Sequence, residues 1–240
     1  MVASGIMIAN VKGGVGKSTL TCYLADYLRL RKPKLSMTVI DTDLQGSSYE
    51  SLSPVFPKGS VRHLPISGRY DAVNVMTLDT LMRSELSGSN HITLLDTSAG
   101  KPETLHQAIM MCRCLLVPVS LSWTDIRPTS DFIREIQELK DNSESLTPHL
   151  IVVPNRLPPQ QRNLNYLAKA LTDMDVVIAP GLSELSVIKH QSERFSGLGG
   201  TYGTRFFDEF ERFGQFICDY VLTGKLDQIY SDSNVVPLRG

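Results

Sequence analysis

The eight residues Lys12-Gly13-Gly14-Val15-Gly16-Lys17-Ser18-Thr19 constrain this chain more than any other stretch. The ordinary phosphate-loop spacing, Gly-x-x-x-x-Gly-Lys-Ser, fails at its first position, which is Val11; the variant Lys-Gly-Gly-x-Gly-Lys-Ser/Thr is matched throughout. Gly13, Gly14 and Gly16 permit backbone geometries that turn successive N–H groups toward a phosphate. The apolar run at 6–9 reads as a strand, and 18–30 reads as a helix with Leu20, Leu24, Tyr27 and Leu28 on one face. A strand, a glycine loop and a helix N-terminus in that order make an anion cradle, since the first helical turn carries partial positive charge. Residues 13–19, Val15 and Thr19 included, would line it. Lys17 would reach the β- and γ-phosphates, and the Ser18 hydroxyl would face Mg²⁺.

The rest of the chain supplies the frame for such a loop. Apolar runs at 37–40, 92–95, 115–119, 150–153 and 176–178 are nearly continuous, as in strands of a parallel sheet covered on both faces. Helical patterns at 130–139 and 164–171 lie between them. The alternation predicts an α/β fold: one domain with a mostly parallel twisted sheet, helices on both faces and right-handed crossovers. Residues 45–90 are less regular; a strand at 73–76 and a short helix at 78–86 are expected there. The stretch 183–204 is also irregular. A last helix over 204–222 carries Phe206, Phe210, Phe213, Ile217 and Tyr220 as an apolar stripe. Its polar face holds Asp208, Glu209, Glu211 and Asp219 against Arg205 and Arg212, the wrong sign for a membrane surface, so docking on the core is expected. The domain is expected to span 1–224, with a polar tail at 225–240.

Composition narrows the classes. The 240 residues include 24 basic and 25 acidic ones, a formal net charge of −1, so nucleic-acid binding would need a local basic patch. No apolar run reaches the roughly 20 residues of a membrane span, and no basic segment opens the sequence, so a cytoplasmic location is expected. The four cysteines are too scattered for a disulfide framework, and the pair Cys112 and Cys114 has no second Cys/His pair at ligand spacing.

With Lys12 at its head, the loop resembles the deviant Walker A motif of the ParA/MinD ATPases, a family that also includes nitrogenase iron-protein relatives. Two further segments are similar to that family. Asp41-Thr42-Asp43-Leu44-Gln45-Gly46-Ser47 resembles the D-x-D-P-Q-G-N segment after the second strand, with Leu44 for proline and Ser47 for asparagine. Residues 92–100, ending Asp96-Thr97-Ser98-Ala99-Gly100, resemble the Walker B strand and turn. The segment 118–125 is similar to V-P-x-x-P-x-x-x-D, and 152–156 to the adenine-holding segment that centres on Asn155.

The resemblance implies roles. Lys12 would reach across a dimer interface to the partner's nucleotide and act in trans, stabilising charge during phosphoryl transfer, with Lys17 catalytic at the β- and γ-phosphates. Asp43 would orient the attacking water. Ser18, Asp41 and Asp96 would surround Mg²⁺, and Asn155 would read the purine edge. Asp125 would face the dimer partner. A turn-capping pair at Asp41 and Asp43, a helix-terminal carboxylate at Asp125 and a loop cap at Asn155 are the simpler readings of the same residues. The implied cofactors are ATP and Mg²⁺; the implied partners are a second copy of the chain and an adaptor of ParB-like type, with no membrane.

The expected function is ATP-dependent partition of plasmid or chromosomal DNA by a dimer that binds nonspecific DNA. Lys189, Arg194 and Arg205 are the candidate DNA contacts, with Arg156 and Arg162 weaker and scattered solvated charges the simpler reading. Positioning of a protein cargo is the alternative, and a MinD-like membrane cycle is disfavoured by the acidic last helix. An iron–sulfur carrier would need a cysteine that positions 97–111 do not supply. A regulator without turnover would have no use for Lys12 and Asp43.

Overall fold

Strand β1 (Ser4–Ile8) sits at the centre of one seven-stranded sheet, because nearly every residue of the apolar runs has a covered face to turn to. The computed structural model describes residues 4–67, 72–100, 105–143, 148–158, 163–184 and 195–223. The remaining strands are β2 (Ser36–Asp41), β3 (Val61–His63), β4 (His91–Asp96), β5 (Cys114–Val119), β6 (His149–Pro154) and β7 (Val177–Ile178). Their order is β3-β2-β4-β1-β5-β6-β7, and every pairing is parallel. Parallel neighbours need crossovers, which the helices provide.

The two-residue strand period divides the core into two layers. Ile6 and Ile8 face a cluster with Leu20, Leu24 and Tyr27 of helix α1 (Lys17–Arg31) and Phe210 and Phe213 of helix α7 (Arg205–Phe216). Met7 and Ala9 face the opposite cluster, with Leu78 and Met82 of α3 (Ala72–Leu86), Ile109 of α4 (His106–Met111), Ile133 of α5 (Trp123–Ser143) and Leu167 of α6 (Asn165–Ala170). The short α2 (Ser47–Leu52) contributes Leu52 to the first layer. Helix α1 is covered on almost every side, with Leu20 to Leu28 all buried between the sheet and α7. Gly214 lets α7 come that close: a Cβ there would stand 2.5 Å from the Tyr27 ring.

Three expectations need correction. Residues 73–76 are not a strand but the first turns of α3. The helical period wins because Leu78 and Met82, four apart, are buried, while Val73 and Met76 are left 76% and 70% exposed. Helix α5 begins at Trp123 rather than near 130 and runs through Pro128; a proline early in a helix breaks only one intrahelical bond there. The last helix is α-helical only to Phe216, after which Ile217–Leu222 widens into a π-helical turn. Elements α2, β3 and α4, and a 3₁₀ turn at Leu198–Thr201, have no counterpart in the sequence-based expectations. The expected tail at 225–240 lies outside the described residues.

Candidate nucleotide site

Three strand ends converge at the carboxyl edge of the sheet. In the register, Ile8 stands opposite Asp96, and Asp96 opposite Asp41. Two threonines seal these ends. Thr42 donates from its N–H and its hydroxyl to the Asp96 carbonyl, both at 2.9 Å, and the Thr97 hydroxyl donates to the Ile8 carbonyl at 3.0 Å. The chain leaving β1 is thereby aimed over the two carboxylates.

The loop at 12–16 is held from below and from the side. Asn10 accepts from Lys12 N–H at 3.0 Å and donates to the Pro118 carbonyl at 2.8 Å and the Thr129 hydroxyl at 2.9 Å. Val15 is buried in the core. Asn155, just past β6, donates from Nδ2 to the Val15 carbonyl at 2.8 Å. Gly16 is left-handed (φ 92°), and a Cβ there would meet that amide at 2.5 Å, so both backbone shape and space demand glycine. Gly16 also caps α1 without any side-chain hydrogen bond, and the first turn holds no acidic residue. The leading N–H groups are therefore left for an anion.

Lys17 and Asp96 are the charged pair at the floor. Lys17 is buried, and its Nζ donates to the Lys12 carbonyl at 2.9 Å. Burial lowers its pKa, while Asp96 and then Asp43 pull it back up. Asp96 is fully buried, and among the described residues neither of its carboxylate oxygens has a partner at hydrogen-bond geometry, although the Ser18 and Ser48 hydroxyls lie near it. Burial first, and the Asp41 charge second, push its carboxyl up to about 7; the Ser18 and Ser48 hydroxyls and Lys17 oppose the rise. A buried carboxylate with no donor beside a serine and a lysine fits a divalent cation, which would supply the missing positive charge.

Asp41 is differently disposed. Its Oδ2 accepts from Ser48 N–H (2.9 Å), Ser48 Oγ (2.8 Å) and Tyr49 N–H (2.9 Å), so it caps α2. Its Oδ1 accepts from Asp43 N–H at 3.0 Å. The Asp43 carboxylate accepts from Gln45 N–H at 2.9 Å and is half-buried at the edge of the site. Lys12 Nζ lies 3.6 Å from Asp125 at the start of α5. Ser18 is half-buried and Thr19 exposed on the first turn of α1.

The structure thus gathers Lys12 to Thr19, Asp41, Asp43, Asp96 and Asn155 at one edge. Of the candidate DNA contacts, Arg205 and Arg156 fall among the described residues. Arg205 donates to Glu209 at 2.6 Å, and Glu209 is buried and also accepts from Ser183 N–H at 2.7 Å. This arginine neutralises an internal carboxylate while its own side chain stays 38% exposed. Arg156 donates to the Gly14 carbonyl at 2.6 Å and to Glu184 at 2.9 Å, and takes a left-handed φ of 56°. It belongs to the phosphate loop's support. Lys189, Arg194 and Arg162 lie outside the described residues. Asn10 and Ser48 are supporting residues that sequence reasoning missed, and Arg156 was read there only as a weak DNA contact; their anchoring bonds to Pro118, Asp41 and Gly14 span seven or more positions, and only the adjacency of Asn10 to the loop and of Arg156 to Asn155 offered a signal.

Comparison with known proteins agrees with this geometry. A family model described as the CobQ/CobB/MinD/ParA nucleotide binding domain matches residues 6–192. No curated protein matches in sequence. Among solved structures, apo McdA of Cyanothece superposes with a TM-score of 0.65 at 16% identity, covering 89% of this chain and 98% of that one. A Borrelia burgdorferi plasmid partition protein bound to AMPPNP gives 0.61 at 14%, covering 91% and 99%. The septum site-determining protein MinD of Pyrococcus horikoshii, complexed with Mg-ADP, gives 0.65 at 15%, covering 93% and 99%. At such identities the likeness is one of fold.

Proposed function

Since the chain belongs to the CobQ/CobB/MinD/ParA nucleotide-binding family, we propose that it is a Mg²⁺-dependent ATPase that dimerises around ATP and drives partition of DNA together with an adaptor protein. The observation that carries the enzymatic part is the bare, buried Asp96 carboxylate beside Lys17 and Ser18 at the mouth of an uncapped helix.

In this reading the α1 N–H groups and Lys17 bind the phosphates, and Asn155 borders the base. Ser18, Asp41 and Asp96 would hold Mg²⁺, which would supply positive charge to the phosphates when bound. Asp43 orients the attacking water. Lys12 leaves Asp125 and crosses to the partner's nucleotide, so that ATP binding and dimerisation are one event. The bound AMPPNP and Mg-ADP of two fold relatives support the choice of ligands.

DNA is the proposed surface because one fold relative is a plasmid partition protein and because the polar face of the last helix carries Asp208, Glu211 and Asp219, the wrong sign for a membrane surface. The family's spread, from that protein to the MinC:MinD cell division complex of Aquifex aeolicus, supports positioning of a protein cargo as the second reading. Gel retardation of nonspecific DNA with ATP or ADP separates them. ATP-dependent retardation is expected; absent or nucleotide-independent retardation would overturn the DNA reading. A wild-type protein that neither binds nor hydrolyses ATP with Mg²⁺, adaptor and DNA present would overturn the ATPase itself.

A further inference from the structure

We propose that His63, at the end of edge strand β3, is a positioning residue that fixes the turn carrying Asp43. The inference rests on the reading of Asp43 as the water-orienting carboxylate and names the side chain that sets where it stands.

His63 lies opposite Asp41 in the β2–β3 register, so its ring projects beside the turn that follows β2. Its Nε2 is 2.8 Å from the Asp43 carbonyl oxygen. A carbonyl only accepts, so Nε2 is the donor and carries a proton. The same carbonyl accepts Gly46 N–H at 3.1 Å, which closes the turn. The ring stacks on Tyr49 of α2, with centroids 5.5 Å apart and planes at 21°. Gly46, in the left-handed region at φ 64°, opens the space: a Cβ there would lie 3.0 Å from His63 Cε1.

The turn is therefore held at each end by different means. Asp41 grips the Asp43 N–H, and His63 grips the Asp43 carbonyl. The carboxylate between them accepts only from Gln45 N–H among the described residues. Its position is the sum of those two grips. The chain just past β3 also runs beside the turn, where Leu64 N–H donates to the Asp41 carbonyl at 2.8 Å and Ile66 N–H to the Thr42 carbonyl at 3.0 Å. Tyr49 keeps the ring upright, and the ring keeps Asp43 in register with the phosphate loop.

Two substitutions separate the hydrogen bond from the packing. His63→Phe keeps a flat ring on Tyr49 and removes the donor; His63→Gln loses the ring and restores an N–H that reaches the carbonyl. Thermal melting, ATP affinity by fluorescence titration and single-turnover hydrolysis are measured for both, with Asp43→Asn as reference. Expected are a melting temperature and an ATP affinity close to wild type for His63→Phe, a hydrolysis rate down by about ten- to a hundredfold, and recovery of most of that rate in His63→Gln. Wild-type hydrolysis in His63→Phe beside a dead Asp43→Asn would overturn the role of His63 alone, as would His63→Gln falling as far as His63→Phe. Undiminished hydrolysis in Asp43→Asn would overturn the reading of Asp43 and this inference with it.

Discussion

Lys12 and Asp125 form an ion pair within one chain, at 3.6 Å, while the Ser120 hydroxyl donates to the other oxygen of the same carboxylate. The lysine proposed to serve the partner's nucleotide is thus retained by its own α5. Its side chain is 36% exposed and that of Asp125 is 22%, so the pair is screened and worth about 0.2–1 kcal/mol.

That magnitude sets the first prediction. Asp125→Asn should lower the ATP concentration that half-assembles the dimer, by up to about fivefold, since 1.4 kcal/mol corresponds to about tenfold. Sedimentation at fixed protein concentration reads this directly. An unchanged midpoint would show that the pair does not compete with assembly.

Lys12→Ala should separate binding from turnover. In the proposed binding mode the phosphates are held within one protomer by Lys17 and the backbone, so ATP affinity should remain within a few-fold of wild type. Stimulated hydrolysis should fall by about a hundredfold or more, as when a charge-stabilising donor is withdrawn from a transition state. Normal stimulated turnover in this variant would remove the trans role.

Asp96 gives a prediction in pH. Its folded pKa, raised to about 7 chiefly by burial, lies above the ordinary carboxylate value of 3.8. Between about pH 4 and 7 the folded state holds the proton that the unfolded state has lost, so stability falls as pH rises through that window. Asp96→Asn should therefore melt higher than wild type at pH 7.5 without nucleotide, by a few kcal/mol in the limit of three pKa units. The difference should vanish near pH 4. The same variant should lose the Mg²⁺ dependence of ATP binding. Equal melting of the two proteins at pH 7.5 would contradict the unsatisfied carboxylate.

Gly214→Ala tests the packing of the last helix on the loop-bearing helix. Alanine favours a helix by about 1 kcal/mol over glycine, yet a Cβ would stand 2.5 Å from the Tyr27 ring. Overpacking of that kind costs about 1–3 kcal/mol. Thermal melting should therefore show net destabilisation; a stabilised protein would mean that Tyr27 has room to retreat.

Much of this architecture could be read in the sequence where a signal is local and repeated. The five apolar runs after β1 and the glycine loop announce strands and the cradle because buried parallel strands are apolar at successive positions. Only the first turns of α3 read as a strand, because Val73, Val75 and the nearby Met76 mimic strand composition, although burial follows the four-residue step from Leu78 to Met82. Strand β3 is three residues long with only Val61 buried, too short for a periodicity to show. Helix α2 owes its start to a carboxylate seven positions upstream, a contact no pattern of spacing encodes. The same limit applied to charge. Arg205 is four residues from Glu209, and the sequence displays the pair without showing that the glutamate is buried and must be neutralised.

The amide of Asn10 bears on what the glycine loop is as an object. One side chain joins the loop's first N–H to the end of β5 and to the flank of α5. The loop is therefore half of a joint, and Pro118 and Thr129 are the other half. Transplanting residues 12–19 into a foreign strand–helix unit would carry over the letters of the motif and leave behind the clamp that gives them their shape.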